Sequence, residues 1–446
     1  MILQSEQFGT DFKWGVSTAA YQIEGGKGEG GKGFSIWDKF VGLKGKISNE
    51  ETGDAACMFY DNYAKDLTLM AHMNIPNYRF SISWSRILPE GTGKVNHQGI
   101  DFYNRVIDLC IELHIEPWIT LYHWDLPYAL EQKGGWTNRD MLSWFQEFVA
   151  CCLKYFGKKV SKWIVLNEPM VFTGAGYFLG IHAPGRKGLN NFLAAAHHAA
   201  LCQAEGGRMV KSFNSEAKVG TTISCSFIES YSTDERDLVA ANKMDTLLNR
   251  VFIEPLLGLG YPVQDLKVLS KMEKFIKDGD ESKLAYDMDF IGIQNYTREI
   301  VRFNGLIPYL NAKIITADKR NVERTLMNWE VYPASLYQVL KKYSLYKNIK
   351  EIIVTENGAA FTDVISNGSI KDDKRTQYLQ ENINQIYKAK KEGINVTGYF
   401  VWTFLDNFEW AEGYTPRFGL VYVDFKTQKR IIKNSGKWYA SFISGV

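Results

Sequence analysis

The sequence contains few cysteines, no long apolar run and almost no net charge. Its six cysteines include no Cys-x-x-Cys pair and no Cys/His spacing of the zinc type, so we expect buried thiols and no metal site. No stretch of 18 apolar residues is present to span a membrane. The 52 basic and 50 acidic residues leave a net charge of +2, with no basic block to follow a nucleic-acid backbone. These features argue against nucleic-acid and membrane partners.

The N-terminus also has neither a basic leader nor an apolar signal segment, which predicts a cytoplasmic location. Intrinsic disorder is excluded, because 45% hydrophobic and 23% charged residues supply ample apolar surface to bury. Aromatic residues make up 14% of the chain. Since their flat apolar faces suit sugar rings, this abundance favours a carbohydrate ligand.

Short strand-like runs alternate with longer helix-like segments along the chain. The predicted strands lie at 12–20, 73–83, 116–122, 163–167, 218–224, 289–296, 351–355 and 396–402. The clearest helical candidates lie at 55–72, 98–113, 139–156 and 374–392. Because no Pro/Ser-rich linker divides this alternation, it predicts an α/β fold in which residues 1–446 form a single (β/α)8 TIM barrel with extended βα loops. The long stretches 23–72 and 297–350 are expected to wall a pocket.

Two glutamates stand at predicted strand ends, where barrel enzymes place their chemistry. Glu168 follows the fourth strand in an Asn-Glu-Pro motif, and Glu356 follows the seventh in a Thr-Glu-Asn-Gly motif. Either has a purely structural alternative, Glu168 as a first-turn helix acid and Glu356 as the residue before a turn. Together they fit glycoside hydrolysis, in which one carboxyl group protonates the leaving oxygen and the other meets the anomeric carbon.

Further polar and aromatic side chains fall at the same predicted strand ends. Arg79 lies inside an apolar second strand, where an unpaired cation would be costly to bury, so we expect it to hold one carboxylate in its ionised form. Other candidates are Gln22, His123, Trp124, Gln294, Asn295, Tyr296, Trp402, Glu409 and Trp410. Any one of these has packing as an alternative, but as a set around one rim they favour ligand binding.

These motifs resemble glycoside hydrolase family 1, the β-glucosidase family, over nearly the whole chain. The matching stretches are Phe12-Lys13-Trp14-Gly15, Gln22-Ile23-Glu24-Gly25, Arg79-Phe80-Ser81-Ile82-Ser83-Trp84, Tyr122-His123-Trp124-Asp125-Leu126-Pro127, Asn167-Glu168-Pro169, Thr355-Glu356-Asn357-Gly358, Trp402-Thr403 and Glu409-Trp410. The resemblance implies a retaining β-glucosidase that forms a covalent glycosyl-enzyme, with Glu356 as nucleophile and Glu168 as acid and then base.

The resemblance also implies roles for the surrounding residues. Asn167 would hold the sugar 2-hydroxyl, while Arg79 and Tyr296 would orient Glu356. The implied substrate-binding set is Gln22, His123, Trp124, Asn167, Tyr296, Trp329, Trp402, Glu409 and Trp410, with Trp402 as a stacking floor and Trp329 on the aglycone side. The implied substrate is a small β-glucoside or a short cello-oligosaccharide, and no cofactor is needed. Glucose, galactose or fucose preference, transglycosylation and oligomeric state stay open.

Two positions depart from the family pattern. Val165 stands where the family usually has Thr, and strand alternation would place residue 165 on the face of Asn167, so one hydroxyl is expected to be missing there. At the sixth strand, Gln294-Asn295-Tyr296 replaces the usual Asn-Tyr-Tyr. The final Tyr is kept but the first amide is longer, which leaves the role of Gln294 open.

Two other functions compete with β-glucoside hydrolysis. A 6-phospho-β-glucosidase is disfavoured because Glu409 would repel a phosphate dianion. A non-catalytic carbohydrate-binding barrel is disfavoured because both glutamates are present.

Two motifs in the sequence suggest ligand sites that we do not expect to be present. The glycines at 26, 28 and 31 match a nucleotide-binding pattern, but a mobile loop over the pocket is the better interpretation. The pair His197-His198 is expected to pack within a helix.

Overall fold

Eight parallel strands close into a barrel in a computed structural model, which describes residues 3–366 and 368–445. The barrel strands are β1 (Lys13–Ser17), β2 (Asn77–Ser81), β3 (Glu116–Tyr122), β4 (Lys162–Asn167), β5 (Lys218–Ser224), β6 (Phe290–Gln294), β7 (Ile352–Asn357) and β8 (Val396–Trp402). Neighbours around the barrel follow the order of the chain, and β1 closes the ring against β8. The predicted (β/α)8 fold is therefore confirmed, and each of the eight predicted strands is present.

Helices surround the barrel and connect successive strands. The longer ones are Phe59–His72, His97–Glu112, Met141–Phe156, Leu189–Phe213, Glu235–Asp245, Ala334–Ser344, Asp373–Lys391 and Asn434–Ser444. The shorter ones are Ala20–Ile23, Ile36–Phe40, Trp84–Ile87, Tyr128–Gln132, Pro169–Thr173, Ile253–Leu256 and Asp280–Leu284. The helix predicted to start at residue 55 begins only at Phe59, because Met58 adopts a left-handed backbone with φ of 48°. Within residues 3–366 and 368–445, no helix is long and apolar enough to cross a membrane.

The barrel interior is filled by side chains and leaves no room for a pore. The interior cluster consists of Trp118, Ile164, Phe290, Ile353 and Phe400, all of them buried. Outward-facing strand residues pack instead against the helices in the main core. The six cysteines are buried, as predicted, and none of them forms a disulfide bond. The barrel interior therefore has no space for a ligand.

Long connections build out the carboxyl ends of the strands. After β5 and β6 the chain forms a three-stranded sheet from Phe227–Ser230, Arg298–Phe303 and Ala312–Ile314. Two small hairpins, Val364–Ser366 with Ser369–Lys371 and Val421–Val423 with Arg430–Ile432, follow β7 and β8. The prediction that stretch 297–350 walls a pocket is confirmed, because it supplies Thr297, Glu299, Met327 and Trp329 to the cavity described below.

The glycine-rich segment 24–33 does not lie over this cavity, so that prediction was wrong. Gly33 donates to the Ser85 carbonyl at 2.9 Å, and Asn96 Nδ2 donates to the Gly30 carbonyl at 2.6 Å. These hydrogen bonds pair two backbone groups of the segment and tie it to residues 85 and 96, in the connection that follows β2. Stretch 23–72 accordingly contributes no residue to the cavity lining in the described part of the chain.

The two adjacent histidines serve packing, as predicted. His197 and His198 are buried on helix Leu189–Phe213. His197 lies 2.9 Å from both Asp280 and the Tyr261 hydroxyl, and His198 Nδ1 lies 2.8 Å from the Trp136 carbonyl. Their ring nitrogens thus have partners within the scaffold.

Candidate active site

A cavity of about 300 Å³ opens at the carboxyl ends of the strands. The predicted site residues that line it are His123, Trp124, Glu168, Tyr296, Trp329, Glu356, Trp402, Glu409 and Trp410. Gln22, Arg79 and Asn167 lie directly behind this lining and bond to its members. The structure therefore brings the predicted site residues to one place, with the exception of Asn295, which lies outside the cavity lining and donates to the Cys225 carbonyl at 2.8 Å and to Ser335 Oγ at 3.0 Å.

Glu356, on β7, is held by three hydrogen-bond donors. Its Oε1 accepts from Arg79 Nη1 and from Gln294 Nε2 at 2.8 Å, and its Oε2 accepts from the Tyr296 hydroxyl at 2.6 Å. Burial raises the pKa of Glu356, but the Arg79 cation and the hydrogen bonds from Tyr296 and Arg79 oppose that rise. This arrangement favours the carboxylate form and fixes its orientation.

Arg79 is fully buried, and each of its three nitrogens has a partner. Besides Glu356, it donates from Nη2 to Asn167 Oδ1 at 2.6 Å and from Nε to Thr120 Oγ1 at 3.1 Å. A buried guanidinium is stable only when it is paired and hydrogen-bonded in this way. The expectation that Arg79 pairs with a carboxylate is confirmed.

Glu168 lies in a different environment from Glu356. It precedes the short helix Pro169–Thr173 with a left-handed backbone, φ 47° and ψ 64°, and its side chain makes no capping hydrogen bond. The carboxyl group is thereby free to line the cavity. Burial, followed by repulsion from Glu356, raises the pKa of Glu168 well above its usual range. Of the two carboxyl groups, Glu168 is the one that favours the proton.

Asn167 connects Arg79 to the cavity wall. Its Oδ1 also accepts from Thr222 Oγ1 at 3.1 Å and from Gln294 Nε2 at 2.8 Å. Its Nδ2 lies 3.0 Å from His123 Nε2. Because an amide nitrogen can only donate, His123 Nε2 accepts and the ring proton resides on Nδ1. Burial, followed by the charge of Arg79, lowers the pKa of His123 well below its usual range, which keeps the ring neutral.

Val165 does not share the face of Asn167, so that expectation was wrong. The pairing of β4 with β5 shifts register between Ile164 and Asn167, and this irregularity breaks the two-residue alternation. Val165 instead faces the helix Leu189–Phe213, where its Cγ1 would lie 2.4 Å from a Cβ placed on Gly206. The hydroxyl group next to Asn167 is supplied instead by Thr222 on β5.

Glu409 and Trp410 form a further part of the cavity wall, and Gln22 lies behind them. Gln22 Nε2 lies 3.3 Å from Glu409 Oε2 and 2.9 Å from the Phe408 carbonyl. Burial, together with the charge of Glu356, raises the pKa of Glu409 to about 8. The Trp410 ring lies 4.7 Å from Trp124, centroid to centroid. A carboxyl group therefore stands beside an aromatic surface, as the sequence predicted.

Trp329 and Tyr296 stand on another part of the wall. Their ring centroids lie 5.2 Å apart, and Trp329 also lies 6.1 Å from Phe418.

Gly358 allows the close approach of the β7 and β8 ends, since a Cβ there would lie 1.8 Å from the Trp402 carbonyl oxygen. Only glycine allows the segment after Glu356 to pass so close to Trp402.

Several contributing residues escaped the sequence analysis. Thr120 bonds to Arg79, and Thr222 bonds to Asn167. Both threonines lie near the carboxyl end of a barrel strand, and this position is the sequence signal that points to them. Gln294, a candidate whose role the sequence left open, bonds to both Asn167 and Glu356. Glu299 lines the cavity from a strand outside the barrel, where no strand-end rule applies. In the described ranges, no group of three or more His, Cys, Asp or Glu is arranged to hold a metal ion.

Comparison with known proteins gives consistent matches. A β-glucosidase A from Thermotoga maritima is 42% identical over 98% of both chains, and a 1,4-β-D-glucan glucohydrolase from Thermotoga neapolitana is 41% identical over 98% of both. The structure of the T. maritima β-glucosidase in complex with deoxynojirimycin superposes with a TM-score of 0.93, at 40% identity and 98% coverage of both chains. The family model for glycosyl hydrolase family 1 matches residues 4–445. With the site geometry above, these matches show that the chain belongs to glycosyl hydrolase family 1.

Proposed function

We propose that this chain is a retaining β-glucosidase that releases terminal non-reducing β-D-glucosyl residues from β-glucosides, cellobiose and short cello-oligosaccharides. One observation carries the proposal: two buried glutamates share one cavity, and Glu356, unlike Glu168, is hydrogen-bonded to Arg79 and Tyr296, which oppose the rise in its pKa. Glu356 is fixed by three donors in its ionised form, whereas Glu168 is buried and favours its proton. This division of labour is the one that a double displacement requires. We take residues 1–446 to act as one catalytic domain.

In the first step, the Glu356 carboxylate attacks the anomeric carbon while Glu168 gives its proton to the leaving oxygen. The bond from C1 to the leaving oxygen breaks, and a covalent glycosyl-enzyme forms with the alcohol as free product. Arg79 and Tyr296 hold Glu356 in its attacking orientation. Because both donors are in place before the substrate arrives, little reorganisation is needed in the transition state.

In the second step, Glu168 accepts a proton from water, and the water oxygen displaces Glu356 from C1. The two inversions together return the β-anomer of glucose. Once Glu356 is esterified, its negative charge no longer raises the pKa of Glu168, which suits the change from acid to base. Asn167, held by Arg79 and Thr222, is placed to bind the sugar 2-hydroxyl during both steps.

Two buried polar atoms support binding of a polyhydroxylated ring. Gln22 Oε1 and His123 Nδ1 have no hydrogen-bond partner among the described residues. Buried polar atoms are normally satisfied, and sugar hydroxyls supply both the donor for Gln22 and the acceptor for His123. The indoles of Trp402 and Trp410 add apolar surface for the ring face.

The charge of the cavity disfavours a 6-phosphorylated substrate. Its described lining includes Glu168, Glu299, Glu356, Glu409 and Glu412 but no Lys or Arg. A phosphate dianion there would find no Lys or Arg in the described lining to bind it, and the Glu356 carboxylate would repel it. The β-glucosidase A and the 1,4-β-D-glucan glucohydrolase, at 42% and 41% identity, also support an unphosphorylated glucoside, whereas a relative named 6-phospho-β-galactosidase is 33% identical. The cytoplasmic location expected from the sequence stays a prediction.

The experiment that tests the proposal compares p-nitrophenyl β-glucoside with its 6-phosphate at matched concentration. We expect faster nitrophenol release from the unphosphorylated glucoside, and β-glucose as the first-formed anomer by NMR. Faster cleavage of the phosphorylated substrate would contradict the substrate assignment. First-formed α-glucose would contradict the double displacement.

A further inference from the structure

Glu299 is a cavity carboxyl group that the proposed mechanism does not use. It lies on strand Arg298–Phe303, three residues beyond Tyr296, and lines the same cavity as Glu168 and Glu356. Trp329 lines the cavity too and packs against Tyr296, with ring centroids 5.2 Å apart. Thr297 Oγ1 donates to the Glu330 carbonyl at 3.0 Å, which ties the segment that carries Glu299 to the segment that carries Trp329, next to Tyr296.

The arginines near Glu299 are engaged elsewhere. Arg298 donates to both carboxylate oxygens of Glu330 at 2.9 Å and to Glu229 at 2.8 Å. Arg320 Nη1 donates to Glu330 at 2.6 Å. Across residues 3–366 and 368–445, the carboxyl group of Glu299 forms no hydrogen bond or ion pair of its own. The scaffold thus holds Glu330 firmly and leaves Glu299 without a partner.

Glu299 is half-buried, and its carboxyl oxygens are not among the fully buried unpartnered atoms of the described residues, so a ligand in the cavity can reach them. Burial raises the pKa of Glu299 to about 7, Arg320 opposes the rise, and Glu330 adds to it. The group is therefore poorly solvated, and a hydrogen-bond donor reaching it would be bound strongly. No hydrogen bond or ion pair with the described residues accounts for a carboxyl group at this position.

A carboxyl group beside an indole matches the two surfaces of a sugar ring. The indole covers an apolar ring face, and the carboxyl group accepts from a ring hydroxyl. An alkyl or aryl leaving group offers no hydroxyl, so it would desolvate Glu299 further without compensation. This part of the wall therefore favours binding of a saccharide and disfavours binding of an apolar leaving group.

We propose that Glu299 binds a hydroxyl group of the leaving sugar residue and so makes saccharides, rather than alkyl or aryl glucosides, the favoured substrates. This inference rests on the proposed function and names the aglycone class of the same site. Glu299 acts on the departing residue only, so it should leave hydrolysis of the glycosyl-enzyme unaffected.

The test measures kcat/KM of the full chain for cellobiose and for p-nitrophenyl β-glucoside, with the variants Glu299→Leu and Glu299→Gln. We expect Glu299→Leu to lower the cellobiose value about tenfold and to leave the nitrophenyl value unchanged or higher, because the desolvation penalty for an aryl leaving group is removed. Glu299→Gln keeps an acceptor and should retain most of the cellobiose activity. Glu229→Gln is the matched control, because it removes a neighbouring carboxylate outside the cavity lining.

The ratio of the two kcat/KM values within one preparation does not depend on the fraction of folded enzyme. An active wild type whose ratio is unchanged in Glu299→Leu would overturn the role of Glu299 and leave the proposed function intact. A wild type that cleaves neither glucoside would overturn the proposed function and this inference with it. An equal change in Glu229→Gln and Glu299→Leu would also overturn the inference, since it would assign the effect to charge alone.

Discussion

Gln294 Nε2 lies 2.8 Å from Asn167 Oδ1 and 2.8 Å from Glu356 Oε1. An amide nitrogen carries two hydrogens, so a single side chain can donate to both residues at once. The longer amide that distinguishes this chain from the family pattern therefore acts as a bridge between the residue before Glu168 and the proposed nucleophile.

Replacing Gln294 tests this bridge. Gln294→Leu removes both donated hydrogen bonds and leaves Arg79 and Tyr296 to hold Glu356. We expect kcat/KM for p-nitrophenyl β-glucoside to fall about 10- to 100-fold, because one preorganised donor to the reacting group is lost. Gln294→Asn is the matched control and should lose less. Equal kcat/KM values for Gln294→Leu and the wild type would show that the bridge has no part in catalysis.

The nucleophile is tested by Glu356→Ala with added azide. Loss of the attacking carboxylate should lower kcat by at least about 10³-fold. Azide fits the space that the side chain leaves and attacks C1 from the same side, so it should restore turnover and give the α-glucosyl azide, identified by NMR. A β-glucosyl azide would mean that the removed residue is the acid/base, and near-normal turnover without azide would mean that it is neither.

Glu168→Gln addresses the proton donor through the pH profile of kcat/KM. The pKa of Glu168 is raised by burial and by Glu356, so in the wild type activity should decline on the alkaline side as this proton is lost. Glutamine has no proton to lose, and the alkaline decline should disappear while the acid decline from Glu356 remains. A 2,4-dinitrophenyl glucoside, whose leaving group needs no proton, should lose far less activity than the p-nitrophenyl glucoside. Persistence of the alkaline decline in the variant would assign it to another group, with Glu409 the first to test.

Gly358→Ala tests how the ends of β7 and β8 meet. The added Cβ would lie 1.8 Å from the Trp402 carbonyl oxygen, which no side-chain rotation relieves. We expect the free energy of unfolding to fall by about 3 kcal/mol, measured by urea denaturation. Gly42→Ala is the matched control, because its Cβ would meet only the Lys39 carbonyl at an ordinary 3.5 Å. A Gly358→Ala variant as stable as Gly42→Ala would refute the close approach.

Strand position made the central pair predictable from sequence. Glu168 and Glu356 end strands of one parallel barrel, so knowing the strands was enough to bring them to one rim. Arg79 was predictable for a related reason, since a cation inside an apolar strand needs a buried partner. Both inferences depend on local sequence and on the rule that parallel strands share an orientation.

The features that escaped prediction depend on irregular backbone or on distant segments. Alternation placed Val165 beside Asn167, but the register shift after Ile164 turns the two residues to different faces. Glu299 lines the cavity from a strand outside the barrel. The glycine-rich segment 24–33 forms hydrogen bonds with Ser85 and Asn96 and does not line the cavity. No periodicity in one segment reports such contacts between segments.

The backbone shift in β4 makes a paired prediction at Val165 and Thr222. Val165→Thr restores the family residue, yet the side chain faces Gly206 and Phe145, so kcat/KM should stay within about twofold. Its hydroxyl would be buried among apolar groups, which should lower the free energy of unfolding by about 1–3 kcal/mol in urea denaturation.

Thr222→Val makes the reverse change on β5. It removes the hydroxyl that donates to Asn167 Oδ1, and kcat/KM should fall several-fold, up to about tenfold. Both substitutions exchange a methyl group and a hydroxyl, so neither changes the volume of the side chain appreciably, and the two side chains face opposite surroundings. A larger effect on kcat/KM at position 165 than at position 222 would mean that Val165, not Thr222, adjoins the reacting sugar, and that the strand keeps its regular alternation up to Asn167.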